Sequence, residues 1–167
     1  AIFRAHVVIQ KEEDESKKRN FIKNDATCPL VTKVHLEVQK HAQKGRDIIL
    51  IGHKGHPEVI GTLGRHPSNS NTKIYLVENN DDIKKLEISS SEVAYVTQTT
   101  LSVDETRELI NSLKEKFPGI IGPSADDICY ATQNRQDAVK QLSLECQIVL
   151  VIGCLLYTSD AADDELG

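Results

Sequence analysis

Two cysteines stand in matching local settings in this sequence. Cys28 lies in the segment DATCPL and Cys129 in DDICY, each just before a stretch with helical periodicity. The positive end of a helix dipole stabilises a thiolate, which suits a soft-metal ligand or a nucleophile. A single cysteine is more often a small buried residue, but two matched cases favour function. Cys146, ahead of an apolar run, is interpreted as a core thiol.

The spacing around these two cysteines is also alike. Cys28 is as far from Gly52 as Cys129 is from Gly153, and each interval holds a helical pattern followed by an apolar run. Chance or an internal repeat of an α/β unit would each account for this. In the case of a repeat, the two thiols would meet at a shared centre.

The segment 52–58, GHKGHPE, combines histidines with an acid between a predicted strand and a predicted helix. His53, His56 and Glu58 could be zinc ligands, although the histidines lie in a glycine-broken loop and not one turn apart on a helix. The favoured alternative makes Glu58 a proton donor beside an imidazole that donates to an anion. The simplest alternative is a capped helix start with exposed histidines.

Hydroxyl groups gather at another predicted strand end, in Thr97, Thr99, Thr100 and Ser102. Hydroxyls at a helix N-terminus suit an oxyanion, a phosphate or a proton relay. Their commoner use is simply to cap the helix. His6, after the apolar start of the chain, stands at one more expected strand end.

Apolar runs alternate with helical patterns, and these elements must position the candidate residues. The predicted strands lie at 47–52, 73–78, 93–98 and 148–153. Their continuous apolarity is typical of strands covered on both faces. Amphipathic helices are predicted from Val31 to near Gly45 and from a capping box at Ser102 to Phe117. The alternation predicts an α/β domain with a mainly parallel sheet, whose ligands bind beyond the carboxyl ends of the strands.

The composition excludes several classes of function. The chain has 167 residues, of which 39% are apolar, and a net charge of −5. That charge argues against nucleic acid as a partner, because phosphate binding needs an excess of Lys and Arg. The sequence has no apolar stretch of about 18 residues, no signal peptide and no tight cysteine framework. We therefore expect a soluble, cytoplasmic protein with no membrane partner.

Four segments resemble, in order, the motifs of one enzyme family. They are DATCPLVTKVH at 25–35, IGHKGHPEVIGT at 51–62, VTQTTLS at 96–102 and DDICYATQNRQDAV at 126–139. Over about residues 1–153 the chain is similar to the 4-hydroxy-3-methylbut-2-enyl diphosphate reductases of non-mevalonate isoprenoid biosynthesis. The resemblance implies parallel-sheet α/β lobes, three in number and pseudo-symmetric, around a central 4Fe-4S iron-sulfur cluster.

The resemblance also implies the reaction and its cofactor. These oxidoreductases reductively dehydroxylate an allylic alcohol diphosphate to isopentenyl and dimethylallyl diphosphate, with electrons from a donor such as ferredoxin or flavodoxin. Cys28 and Cys129 match two of the three cysteines that hold the cluster. Three thiolates leave one iron open as a Lewis acid for the substrate hydroxyl.

Four further residues match family positions that act on the substrate. Glu58 matches the proton donor, and Thr99 matches the relay beside the substrate oxygen, which also contacts the substrate. His56 and His6 match histidines that bind the diphosphate. The family has Gly after the second of these histidines, whereas Val7 follows His6 here, and a β-branched residue does not freely adopt positive φ.

The resemblance divides the chain into the end of a first lobe (1–28), a second lobe (29–125) and the start of a third (126–153). The sequence begins at Ala1 and contains no Met, so we expect a fragment. The family's third cluster cysteine would precede it, and we expect the isolated chain to be inactive. Residues 154–167 resemble a translated sequencing adapter, which predicts a non-native tail, and Cys154 is not counted as a ligand.

Two other functions stay open at this point. One is a metal-dependent hydrolase built on His53, His56 and Glu58. The other is a non-catalytic, flavodoxin-like binding module in which the cysteines are core residues.

Overall fold

Strands alternate with helices along the chain, as the sequence predicts. The computed structural model describes residues 2–3, 10–22, 24–123, 125 and 127–150. In these ranges the strands are Ile2–Phe3 (β1), Asn24–Asp25 (β2), Asp47–Ile51 (β3), Ile74–Val77 (β4) and Val93–Thr97 (β5). The helices are Gln10–Lys18 (α1), Pro29–Gln43 (α2), Pro57–Leu63 (α3), Asn80–Lys85 (α4), Val103–Lys116 (α5) and Tyr130–Glu145 (α6).

The main sheet is parallel and has the order β4-β3-β5. Ile51 at the end of β3 pairs with Val77 on one side and with Thr97 on the other, so the carboxyl ends of all three strands lie at one edge. β1 and β2 form a separate two-stranded parallel sheet. The predicted parallel-sheet α/β class is confirmed, while a three-lobed arrangement is not visible in the described residues.

Helices cover both faces of the main sheet. Ile48 and Leu50 of β3 point to one face, where they pack in a cluster with α2 and α3. Ile49 and Ile51 point to the other face, where they pack with α4 and α5. All four side chains are buried. Each stabilises the fold by about 1.5–3 kcal/mol because its apolar surface is removed from water. Burial on both faces explains why the strand sequences do not alternate.

The two main helices follow their predicted patterns. α2 buries a stripe that repeats every three or four residues, Val31, Val34, Val38 and Ala42, and the chain turns after it at Gly45, whose φ is +74°. Ser102 is the N-cap of α5, and its hydroxyl accepts a hydrogen bond from the backbone N–H of Glu105. No helix in the part of the chain that the structure describes has the length and apolarity of a membrane crossing.

Two predictions near the end of the described chain are wrong. Residues 148–150 do not form the start of a strand, and Ile148 and Leu150 are exposed. Cys146 is exposed at the C-terminus of α6 and is not a core thiol. A strand needs a neighbour to pair with, and the described residues supply none for 148–150.

Candidate functional site

The chain reverses its path through the sheet at β3. It passes from β3 to β4 on one side and then to β5 on the other. α3 follows β3 onto the face that α2 covers, whereas α5 follows β5 onto the opposite face. The loops at 52–56 and 98–102 therefore start side by side at the sheet edge and lead to opposite faces of the sheet. Such a switch point, beyond the carboxyl ends of the strands, is where open α/β sheets bind ligands.

Close packing between these loops depends on Gly52. A Cβ atom at this position would lie 2.6 Å from Val59 Cγ2 and 3.1 Å from Gln98 Oε1, so a side chain would push the loops apart. Gln98 Oε1 accepts a hydrogen bond from the His53 N–H (3.1 Å), and Gln98 Nε2 donates to Thr100 Oγ1 (2.9 Å). Gln98, which no sequence pattern singled out as a functional residue, thus ties the two loops together.

Glu58 and Thr99 meet at the switch point. Glu58 is fully buried. Its Oε1 accepts a hydrogen bond from the Thr99 N–H (2.6 Å), and its Oε2 accepts one from Thr99 Oγ1 (3.1 Å). The pairing of β3 with β5 brings these two sequence-predicted residues together across 41 positions of chain.

The buried position changes the acidity of Glu58. Burial, the largest cause, raises the pKa of this carboxyl group from 4.5 to about 7. The two hydrogen bonds from Thr99 act in the opposite direction, since they stabilise the carboxylate, and the charge of Asp127 raises the pKa further. An acid with a pKa near neutrality both holds and releases a proton under physiological conditions.

His56 caps the start of α3 with one ring nitrogen and carries a donor proton on the other. Its Nδ1 accepts a hydrogen bond from the Glu58 N–H (3.2 Å), which caps the helix. A ring nitrogen that accepts carries no proton, so this hydrogen bond assigns the proton of the neutral imidazole to Nε2. Pro57 opens the helix, and Gly55, with a φ of +86°, turns the loop into it. His56 Nε2–H is thus a donor group at the N-cap of the helix that carries Glu58.

Cys28 and Cys129 are the N-caps of α2 and α6, as their sequence settings predict. Both are half-buried free thiols. Cys129 Sγ accepts a hydrogen bond from the Thr132 N–H (3.3 Å). The Cys129 N–H donates to the Thr99 carbonyl oxygen (2.8 Å), so the residue that binds Glu58 also holds the backbone beside the thiol.

The described residues contain no group of three or more His, Cys, Asp or Glu side chains arranged to hold a metal ion. The zinc site considered for His53, His56 and Glu58 is therefore not formed. Cys28 and Cys129 have the soft donor chemistry that selects iron-sulfur clusters, and their free thiols at two helix N-termini fit that role. Any further ligand would lie outside the described residues.

The structure has a buried cluster of charged side chains next to Cys129, which the sequence does not reveal. The Asp127 side chain is fully buried, with Oδ1 3.0 Å from Lys33 Nζ, and Glu37 Oε1 lies 4.0 Å from the same nitrogen. Burial is the largest cause that raises the pKa of both carboxyl groups, those of Glu37 and Asp127. The spacing of Lys33 and Glu37 on one helix face is visible in the sequence, but their partner is not.

Some sequence predictions fall outside the described residues. These are the role of His6, the strand at 151–153 and the non-native tail at 154–167. The lobe boundaries after 28 and 125 stay predictions.

Comparison with known proteins identifies the family. A sequence model described as LytB protein matches residues 1–156. The chain belongs to the LytB protein family. It is 58% identical over 153 residues to a 4-hydroxy-3-methylbut-2-enyl diphosphate reductase of Psychrobacter arcticus, a match that covers 91% of this chain and 48% of the relative. The corresponding enzyme of Saccharophagus degradans is 56% identical over 153 residues, with 91% and 49% covered.

A solved LytB-family structure has the same fold. The E-1-hydroxy-2-methyl-but-2-enyl-4-diphosphate reductase of Plasmodium falciparum superposes with a TM-score of 0.85 at 42% identity, covering 97% of this chain and 49% of that one. The resemblance first found in four sequence segments is therefore confirmed. The chain spans about half the length of the curated relatives it matches.

Proposed function

We propose that this chain is part of a 4-hydroxy-3-methylbut-2-enyl diphosphate reductase, which removes the hydroxyl group of its substrate to give isopentenyl and dimethylallyl diphosphate. One observation carries the proposal. At the switch point, Thr99 hydrogen-bonds to the buried Glu58 through its N–H and hydroxyl and to Cys129 through its carbonyl oxygen. An acid with a pKa of about 7 and a soft thiol are thus joined through one residue.

The reaction needs electrons and protons together. The C–O bond breaks, the oxygen leaves as water, and the allylic system gains one hydrogen, so two electrons and two protons are consumed. Cys28 and Cys129 would hold a 4Fe-4S cluster with a third ligand from outside the described residues. When bound, that cluster supplies the electrons, received from a protein such as ferredoxin or flavodoxin, and an open iron that is a Lewis acid for the hydroxyl.

Glu58 supplies a proton through Thr99. Once protonated, the Glu58 carboxyl group donates to Thr99 Oγ1, reversing the hydrogen bond seen with the carboxylate. Thr99 can then pass its own hydroxyl proton to the substrate oxygen. The Thr99 N–H continues to hold Glu58 Oε1, so the carboxyl group keeps its orientation in both protonation states.

His56 binds the diphosphate end of the substrate. Its Nδ1 is engaged by the Glu58 N–H, which directs the ring proton to Nε2 as a donor for an anionic oxygen. His6 is assigned the same role through the resemblance alone. Because His56 caps the helix on which Glu58 lies, diphosphate binding and proton donation are fixed to one rigid segment.

Cysteine variants test the proposal in a full-length reductase that carries residues 1–153 of this sequence. We expect the anaerobically purified protein to be brown, with one 4Fe-4S cluster, and to turn over with a reduced electron donor. Cys28→Ser and Cys129→Ser should each lose the cluster signal and turnover. Cys146→Ser is the matched control, because this thiol is exposed at the other end of α6, and it should keep both.

Other outcomes would contradict the proposal. A colourless protein with stoichiometric zinc would point to the hydrolase. Undiminished substrate affinity in the cluster-free Cys28→Ser and Cys129→Ser variants, with no turnover in the parent, would point to a binding module.

A further inference from the structure

A lysine joins the two parts of the chain that carry the paired cysteines. Lys33 Nζ donates to the Ala125 carbonyl oxygen (2.7 Å) and to Asp127 Oδ1 (3.0 Å). These contacts link positions 92 and 94 residues apart. The Lys33 side chain is 27% exposed and that of Asp127 is fully buried, so little solvent screens the ion pair.

Each end of this ion pair is rigidly connected to a thiol. Lys33 lies five residues after Cys28 on α2, about 7.5 Å along the helix axis at 1.5 Å per residue. Asp127 lies two residues before Cys129, and its Oδ2 accepts a hydrogen bond from the Thr97 N–H at the end of β5 (3.0 Å). The next backbone contact, from the Cys129 N–H to Thr99, anchors the same segment again.

We propose that Lys33 and Asp127 are positioning residues that hold the Cys28 and Cys129 thiols at a fixed separation and orientation. The purpose of this spacing rests on the proposed function, in which both thiols bind one iron-sulfur cluster. The ion pair fixes the geometry of this contact, because the ammonium group donates to two specific atoms, one carboxylate oxygen and one carbonyl oxygen. An apolar contact between α2 and the segment 125–129 would not define the spacing so narrowly.

Glu37 supports this ion pair from the same face of α2. Its Oε1 lies 4.0 Å from Lys33 Nζ, so the ammonium group is within ion-pair distance of two carboxyl groups, those of Glu37 and Asp127. Asp127 is thus held from α2 by the Lys33 ammonium group and from β5 by one backbone N–H.

The first experiment needs no cofactor and uses the 167-residue chain. Its native cysteines are replaced by serine, and spin labels are attached at Lys40→Cys on α2 and Arg135→Cys on α6, both exposed positions. Pulsed electron spin resonance then gives the distribution of distances between the labels. We expect a single narrow distribution that broadens clearly in the double variant Lys33→Met with Asp127→Asn.

The double variant is chosen so that the test does not depend on an unfolded protein. It removes both charges of the ion pair together, so neither Lys33 nor Asp127 is left charged without the other, and the Asn oxygen still accepts from the Thr97 N–H. The single variant Lys33→Arg should keep the narrow distribution, because it retains the positive charge and the donors. Arg46→Met is the matched control, since it removes another long-range ion pair, with Glu92 46 positions away (2.6 Å), at the opposite edge of the sheet. An unchanged distribution in the double variant overturns the proposal.

The second experiment uses the full-length reductase that carries residues 1–153. The double variant should lose its cluster to a chelator about 10- to 100-fold faster, as when residues that orient metal ligands are removed. The spin resonance spectrum of its reduced cluster should also shift, which a mere loss of stability would not cause. The single variants Arg46→Met and Lys33→Arg should leave both the cluster retention and the spectrum unchanged.

The two experiments separate the failure of each proposal. If the parent reductase holds no cluster but the labels spread in the double variant, the positioning role stands and the proposed function fails. If the parent holds its cluster while the double variant keeps narrow label distances, cluster retention and spectrum, the proposed function stands and the positioning role is wrong.

Discussion

The Thr99 backbone N–H and hydroxyl both donate to the carboxylate of Glu58, at 2.6 Å and 3.1 Å. Glu58 follows the central strand β3, and Thr99 follows the neighbouring strand β5. Their contact closes the switch point of the sheet around a buried acid. The pKa of that acid, about 7, makes proton transfer the chemistry to test first.

Glu58→Gln should abolish proton donation without disturbing the fold. The Gln oxygen can accept from the Thr99 N–H, and its NH2 can donate to Thr99 Oγ1, so the geometry is kept. In the full-length reductase we expect turnover to fall about 100- to 10,000-fold, the usual contribution of a general acid, with the cluster and the substrate affinity retained. Glu92→Gln, an exposed carboxyl at the other edge of the sheet, is the control. Undiminished turnover in Glu58→Gln would remove Glu58 from the role.

The raised pKa of Glu58 also predicts how stability depends on pH. Between pH 4.5 and about 7 the folded chain keeps the Glu58 proton while the unfolded chain releases it. This stabilisation is complete below pH 4.5 and is lost as the pH rises through 7, a change of about 3 kcal/mol at most. Urea unfolding across this range should show that the free energy of unfolding of the parent chain falls with rising pH relative to that of Glu58→Gln. A constant difference would show that burial does not raise this pKa.

His35 should act on stability in the opposite sense. It is 4% exposed on α2, and burial, followed by the charge of Arg65, lowers its pKa from 6.5 to about 4. Between these two pH values, His35 binds a proton in the unfolded chain but not in the folded chain. Stability should therefore fall as the pH drops from 6.5 to 4, by about 3 kcal/mol at most. His35→Leu and His35→Asn should both lack this loss relative to the parent chain, and a loss that persists in both would exclude His35 as its source.

Two substitutions at His56 separate helix capping from ligand binding. Asn is a good N-cap, so His56→Asn should keep the stability of the chain, whereas His56→Ala should cost about 1 kcal/mol in the free energy of unfolding. Both remove the Nε2 donor, so both should raise the substrate KM of the full-length reductase. If His56→Asn keeps the parent KM, His56 is only a cap.

Much of the site can be predicted from local sequence. The apolar runs of β3 to β5, the stripe of α2 and the cap at Ser102 reflect interactions between residues close in the chain, and such patterns follow from helix and strand periodicity alone. The N-cap positions of Cys28 and Cys129 follow from the same signals. The sequence by itself therefore determined the fold class and placed Glu58 and Thr99 in the segments that follow two of the strands.

Only the tertiary structure decided which of these residues meet. The order β4-β3-β5 sets Glu58 against Thr99, 41 positions away, and the packing of α2 against the segment before α6 sets Lys33 on Asp127, 94 positions away. Strand order and helix docking depend on the whole buried surface, which no short window of sequence contains. The same holds for the error at 148–150, where a run with the composition of a strand stays exposed because the described chain offers it no pairing partner.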